Sequence, residues 1–211
     1  RGKTGIDMGM YKNLLGVFAN PKRVFVDLGF LNTLPSLELA NGYAEMIKHG
    51  LITNKVHWDQ IKKLNPREDE WMAKWIVESI QIKNDIVLAD PFEKNIRKKL
   101  NFGHTFGHAF EGMSFGWENP IPHGHAVALG ILAEALISLD RNLLSKDAFE
   151  EIKETITSRF EMMSFSEEVV SPMYKLMQND KKNFEQKIKC VLLTGIGSSE
   201  INQEITEEDV L

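Results

Sequence analysis

The sequence predicts a mainly α-helical protein with short β-strands at both ends. Two observations carry most of that prediction. From Ser36 onward apolar residues recur at helical spacing through successive segments, whereas residues 1–35 and the stretch after Lys187 carry strand and turn signals instead.

The opening segment, residues 1–35, holds Gly2, Gly5, Gly9 and Gly16, an Asn20-Pro21 turn signal and the strand-like run Arg23-Val24-Phe25-Val26-Asp27-Leu28. It begins without an initiator Met or a hydrophobic lead-in, and it reads as the tail of a domain whose earlier part is absent. Residues 36–211 read as one helical domain. Its first helix starts at Ser36, places Leu37, Ala40, Ala44 and Ile47 at helical spacing, and can close at His49-Gly50. A second covers Glu68 to Leu88 with Trp71, Trp75, Ile76, Ile80 and Ile82 apolar. A third runs from near Asn101 to about Gly112. The fourth, His125 to Leu139, is nearly all apolar and is therefore expected to be buried on several sides. Helices also fit Lys146 to Arg159 and Ser166 to Met177, and a final strand, Lys187 to Leu193, ends in the turn Gly195-Ile196-Gly197. There is no internal repeat and no low-complexity tract.

Composition excludes several classes. The chain has 211 residues, 43% hydrophobic and 26% charged, which is ordinary for a folded globular protein. A net charge of −5 argues against a nucleic-acid partner. It leaves room for a small anionic substrate, because local cations in a cleft outweigh the global balance. No stretch has the apolar length to span a bilayer, so no membrane partner is expected. The single cysteine, Cys190, excludes an intrachain disulfide, fits a reducing cytoplasm, and sits in an apolar run that suits a buried hydrophobe.

The sharpest local pattern is Asn101-Phe102-Gly103-His104-Thr105-Phe106-Gly107-His108. Two histidines at i, i+4 share a helix face about 6 Å apart along the axis. Glycines before each leave room for a ligand or another backbone. A lone HxxxH is usually just two partly exposed imidazoles. Here four of the six histidines fall between His104 and His125, and His123-Gly124-His125 follows a loop stiffened by Pro120 and Pro122. A catalytic zinc site needs three protein ligands and an open position. Those three can come from His104, His108, His123 and His125, or Glu45 can replace one of them. Glu45 interrupts a small, apolar helical stretch, with Lys48 on the same face; alone, the pair would read as a surface ion pair. Farther along, Glu93, Arg97, Asn101, His104 and His108 step by four, four, three and four residues. If helix continues through Leu100-Asn101, the five share one polar stripe.

At this point the chain resembles the 3-dehydroquinate synthases among the sugar phosphate cyclases. The resemblance rests on Gly2-Lys3-Thr4-Gly5-Ile6-Asp7, Lys12-Asn13-Leu14-Leu15-Gly16, Leu34-Pro35, Ala44-Glu45-Met46-Ile47-Lys48, Leu100 to Ala109, His123-Gly124-His125-Ala126-Val127 and Asp180-Lys181-Lys182. It implies a cytoplasmic, homodimeric, two-domain enzyme of the shikimate pathway, serving aromatic amino acid biosynthesis. In that plan, residues 1–35 are the tail of a Rossmann-like NAD-binding domain and residues 36–211 form the helical metal- and substrate-binding domain. The family's glycine-rich NAD loop, which precedes the first motif, is not in the sequence, so this stretch alone is expected to be inactive.

The resemblance also assigns roles. Glu45, His104 and His123 become ligands of Zn²⁺ or Co²⁺, and His108 becomes a substrate-facing acid/base. Lys48 holds a ring hydroxyl, and Glu93 orients or transfers a proton. Lys83 and Arg97 match positions holding the substrate carboxylate; Lys3, Asn13 and Asn101, with Lys181 or Lys182, match the phosphate pocket. Lys12 and the turn Phe30, Leu31, Asn32, Thr33 match NAD contacts. Arg1 stands where the family usually has Gly, and His125 where many members have Glu. The implied reaction converts 3-deoxy-D-arabino-heptulosonate 7-phosphate into 3-dehydroquinate and phosphate. A sugar phosphate cyclase acting on a carboxylate-free substrate is the nearest alternative, and it would leave Lys83 and Arg97 unpaired. Iron-containing alcohol dehydrogenases share the architecture but lack this ligand set. A non-catalytic helical interaction module is the third reading, and it need not hold stoichiometric zinc.

Overall fold

The computed structural model describes residues 4–8, 11–17, 19, 21–65, 72–163, 167–178 and 187–210, the side chains of 7, 8, 11–14 and 167 excepted. The chain divides into two compact units, residues 1–33 and 34–211.

In the first unit, β1 (Ile6–Met8) and β2 (Tyr11–Leu15) pair antiparallel, with Ile6 opposite Leu15. Thr4 and Val17 extend the hairpin, the Thr4 amide donating to the Val17 carbonyl at 3.0 Å. The run 23–28 does not form the expected strand. Its Val24, Phe25 and Val26 side chains are exposed, and Leu28–Thr33 is a 3-10 helix. β-branched and aromatic residues favour a strand only where a ladder exists to receive it. Among the described residues, no segment pairs with this one.

The second unit is helical, as the apolar periodicity predicts. α1 (Ser36–Thr53) begins after Pro35, whose carbonyl accepts the amides of Glu38 and Leu39. It runs through His49-Gly50 instead of ending there. A Cβ on Gly50 would stand 2.9 Å from the Cα of Trp58, so this glycine lets the next helix approach and does not terminate its own. That next helix, α2 (Lys55–Ile61), was not expected. Asn54 caps it by accepting the His57 amide at 2.9 Å, and it buries His57, Trp58 and Ile61.

α3 (Met72–Ala89) leads into a loop organised by Asp90. The Asp90 carboxylate accepts the amides of Lys94, Asn95 and Arg97, which winds Ile96–Asn101 into a 3-10 helix. The polar stripe proposed across this junction is interrupted. Phe102 leaves helical geometry and Gly103 turns left-handed at φ 73°, so α4 (His104–Ser114) starts on a new axis. α5 (His123–Asp140) begins two residues earlier than expected and takes His123 into its first turn, after Pro122. α6 (Lys146–Thr157) is capped by Ser145, and α7 (Val170–Gln178) follows a 3-10 turn. β3 (Ile188–Gly195) and β4 (Ser198–Ile205) form an antiparallel hairpin around the Gly195–Gly197 turn. β4 was not anticipated.

α5 is the centre of this unit. Val127, Ala128, Ile131 and Ala135 enter an apolar cluster with α1, α2 and α6, whereas Ala126, Leu129 and Ile137 enter a second with α4, α7 and β3. Both sides are buried, which explains why its sequence is apolar all round. Cys190 is buried in the second cluster, where burial, and then the nearby Glu134, push its thiol well above the ordinary range. No helix among the described residues is long and apolar enough to cross a membrane.

Candidate metal centre

Three helices meet at one point because glycines let their backbones touch. A Cβ on Gly130 of α5 would lie 2.0 Å from the Gly103 carbonyl oxygen, and one on Gly124 would lie 2.2 Å from the Cα of Asn41 in α1. The glycines beside the histidines therefore accommodate another backbone. α4 rests on α5 through the first contact, and α1 rests on α5 through the second, where the Gly124 amide also donates to the Asn41 side chain at 3.0 Å.

This packing brings together Glu45 from α1, His104 from α4 and His123 from α5, with one ligand atom of each within 4.8 Å of the others. His104 Nε2 stands 3.5 Å from Glu45 Oε1, close to the edge of about 3.4 Å expected between tetrahedral ligands with bonds near 2.1 Å. The residues fit a divalent ion chemically as well. His104 Nδ1 lies 3.2 Å from the Phe102 carbonyl, to which it donates, leaving the Nε2 lone pair toward Glu45. Burial, followed by the charge of Lys48, holds His104 well below its usual titration range, so the ring is neutral. His123 Nδ1 lies 3.2 Å from Oε2 of Glu111 and donates to it, which leaves its Nε2 as the basic nitrogen. Side-chain exposure rises from 10% at His104 through 22% at Glu45 to 44% at His123, so the site is reached from the His123 side.

The Glu45–Lys48 pair is not a surface ion pair. Lys48 is 1% exposed, and its Nζ donates to both Glu45 oxygens at 3.0 and 2.9 Å. Burial opposes ionisation of Glu45, but Lys48 above all, and then Lys83, outweigh it and hold the carboxyl far below the usual range. Lys83 Nζ lies 3.8 Å from the same carboxylate. The His108 ring is centred 5.4 Å from His104 and 6.1 Å from His123, beside the triad. His125 is engaged elsewhere: its Nε2 lies 2.6 Å from the Glu161 carbonyl and its ring packs against Phe160.

The remaining expected site residues divide into groups. Glu93 and Asn101 are joined, the Asn101 amide donating to Glu93 Oε1 at 2.8 Å, and Glu93 holds φ 60°, a sparsely occupied value for a non-glycine residue. Arg97 is 5% exposed, and its guanidinium donates to the Pro91 carbonyl at 2.6 Å. Phe30, Leu31, Asn32 and Thr33 form the 3-10 turn of the first unit. Lys3, Lys181 and Lys182 lie outside the described residues, and so do the side chains of Lys12 and Asn13. A shallow groove of about 450 Å³ beside Asn95, Lys99 and Glu200 includes none of the triad.

Sequence reasoning missed two acids. Glu111 falls seven residues after His104 and three after His108, on the same helical face, and that spacing was its signal. Glu134 interrupts the apolar run of α5. Its Oε2 accepts the Gly103 amide at 2.9 Å.

Two family patterns match the chain. That of the 3-dehydroquinate synthase N-terminal domain covers residues 1–41, and that of the C-terminal domain covers residues 42–183. The 3-dehydroquinate synthase of Parabacteroides distasonis is 39% identical over the whole chain, and that of Colwellia psychrerythraea 37% identical over 98% of it. The chain spans about 60% of the length of these relatives. The structure of 2-epi-5-epi-valiolone synthase from Streptomyces hygroscopicus subsp. jinggangensis, with NAD⁺ and Zn²⁺ bound, superposes with a TM-score of 0.85 at 21% identity, over 99% of this chain and 59% of that one. That of 2-deoxy-scyllo-inosose synthase, complexed with carbaglucose-6-phosphate, NAD⁺ and Co²⁺, gives 0.80 at 23% identity over the same shares. With most of its length matched by the C-terminal pattern and its opening by the N-terminal one, the chain belongs to the 3-dehydroquinate synthase family.

Proposed function

We propose that the chain is the metal- and substrate-binding part of an enzyme converting 3-deoxy-D-arabino-heptulosonate 7-phosphate into 3-dehydroquinate and phosphate. The observation that carries this reading is the convergence of Glu45, His104 and His123, with Lys48 and Lys83 at the same carboxylate. When bound, a divalent metal held by that triad supplies a Lewis acid for a ring hydroxyl, and NAD supplies hydride uptake and return.

The chain's own residues do the rest. Lys48 is poised to donate to a ring hydroxyl next to Glu45. His108, beside the triad and outside it, is placed to exchange protons with a neighbouring substrate group. Glu93, fixed by Asn101, orients the sugar or relays a proton. Lys83 and Arg97 offer cations to the carboxylate, and charge-assisted hydrogen bonds give that contact its strength. Lys3, Asn13 and Asn101, with Lys181 or Lys182, take the phosphate, while Lys12 and Phe30 to Thr33 contact NAD. In the cell the enzyme works as a cytoplasmic homodimer. The 211 residues alone are expected to hold the ion without turnover.

Metal content and substrate choice test the reading together. Purified protein should carry one Zn²⁺ or Co²⁺ per chain by inductively coupled plasma analysis, and Glu45→Ala should lose it. The full-length enzyme should release phosphate from 3-deoxy-D-arabino-heptulosonate 7-phosphate with catalytic NAD. Phosphate release only from a carboxylate-free sugar phosphate would make it another cyclase. Absence of stoichiometric metal would remove the catalytic reading altogether.

A further inference from the structure

α4 carries His104 and His108, yet its N-terminus has no cap of its own. The N-cap residue is Gly103, which has no side chain to accept the first-turn amides. The amides that an N-cap side chain ordinarily satisfies are those two and three residues on, here Thr105 and Phe106. A carboxyl from another helix stands in that place. Glu134 of α5 is fully buried, its Oε2 accepts the Gly103 amide at 2.9 Å, and the amides of Thr105, Phe106 and Val191 favour its charged form. Its Oε1 has no hydrogen-bond partner among the described residues.

The contact lies beside the glycine seam. Gly130, one turn before Glu134, meets the Gly103 carbonyl and Gly107 amide of α4. Below Glu134, its carbonyl accepts from Ser138 Oγ at 2.6 Å, and that hydroxyl accepts the Leu193 amide of β3 at 3.0 Å. Glu134 thus sits where α4, α5 and β3 are tied, and α5 also supplies His123.

We infer that Glu134 is a positioning residue: it caps α4 from outside and fixes the first turn, with His104, at a set distance from His123. The inference rests on the metal reading above for its consequence and not for the cap itself. Burial raises the Glu134 carboxyl to about 8, with the helix amides opposing the shift, so a neutral side chain of the same shape should replace it.

The test uses Glu134→Ala and Glu134→Gln with two readouts, amide exchange in the metal-free protein and zinc affinity by chelator competition. In Glu134→Ala, Thr105 and Phe106 should exchange faster relative to α6, and the zinc Kd should rise about 10–100-fold. Glu134→Gln, which keeps an acceptor, should restore both. Unchanged exchange in Glu134→Ala overturns the inference. Faster exchange with unchanged zinc affinity also overturns it, because Glu134 would then serve the fold alone. Glu134→Gln as impaired as Glu134→Ala does the same. Should Glu134→Ala not fold, Glu134→Asp decides: its shorter reach should speed exchange, and wild-type rates there refute the cap. Failure of the unsubstituted protein to bind zinc counts against the metal reading, and the metal-free exchange still decides this one.

Discussion

The Nδ1 of His123 donates to Oε2 of Glu111 at 3.2 Å, so an acid on α4 orients a histidine on α5. Carboxylate partners of this kind fix the tautomer and raise the basicity of the distal nitrogen. Glu111→Ala should weaken zinc binding about 10–100-fold, whereas Glu111→Gln, still able to accept the Nδ1 proton, should stay near wild type. Chelator competition measures both. Equal affinity in all three proteins would leave Glu111 without a role at the ion.

His104 and His108 occupy successive turns of one helix and should separate cleanly. His104→Ala should lose metal and activity together. His108→Ala should retain metal while kcat in the full-length enzyme falls about 10²–10⁴-fold, the usual worth of general acid–base catalysis. Plasma analysis beside steady-state kinetics tells them apart. Zinc loss in the His108 variant matching that in the His104 variant would make His108 a ligand.

Stability should depend on pH through Glu134. Its carboxyl is raised from 4.5 to about 8 in the folded protein, mainly by burial. Between pH 5 and 8 the folded state therefore holds a proton that the unfolded chain has released. Stability contributed by the neutral form is full at low pH and declines as pH rises through that window, by on the order of 1 kcal/mol per pH unit. Glu134→Gln should lack this slope. Urea midpoints of both proteins from pH 5 to 9 give the comparison, and parallel curves would contradict it.

Gly130→Ala places a methyl 2.0 Å from the Gly103 carbonyl oxygen. Neither helix backbone can yield locally, so the substitution should cost about 3 kcal/mol, at the upper end of overpacking effects. Thermal unfolding reads this directly. A wild-type melting curve would mean that α4 and α5 are looser than their contact indicates.

Most of the helical order was legible because apolar spacing dominates it. The exceptions follow from what short-range patterns omit. α2 has seven residues, too few to display a period, and depends on the Asn54 cap and on Gly50 opposite Trp58. β4 alternates weakly and is held by its pairing with β3. The run 23–28 has strand composition without a ladder. The histidine-rich motif and Glu45 were readable because motif and spacing mark them. Glu111 and Glu134 act on partners 12 and 31 residues away, and only the fold reveals those pairs.

The contacts at Gly124 and Gly130 carry one more consequence. Because main chain presses on main chain, the spacing between the positions that bear Glu45, His104 and His123 is set by the backbone and not by rotamer choice. For an ion held by the triad, such a frame would act as a gauge of radius. Ions of different size must be taken up by side-chain adjustment, and the carboxylate, which can bind through one oxygen or two, is the most adaptable of the three.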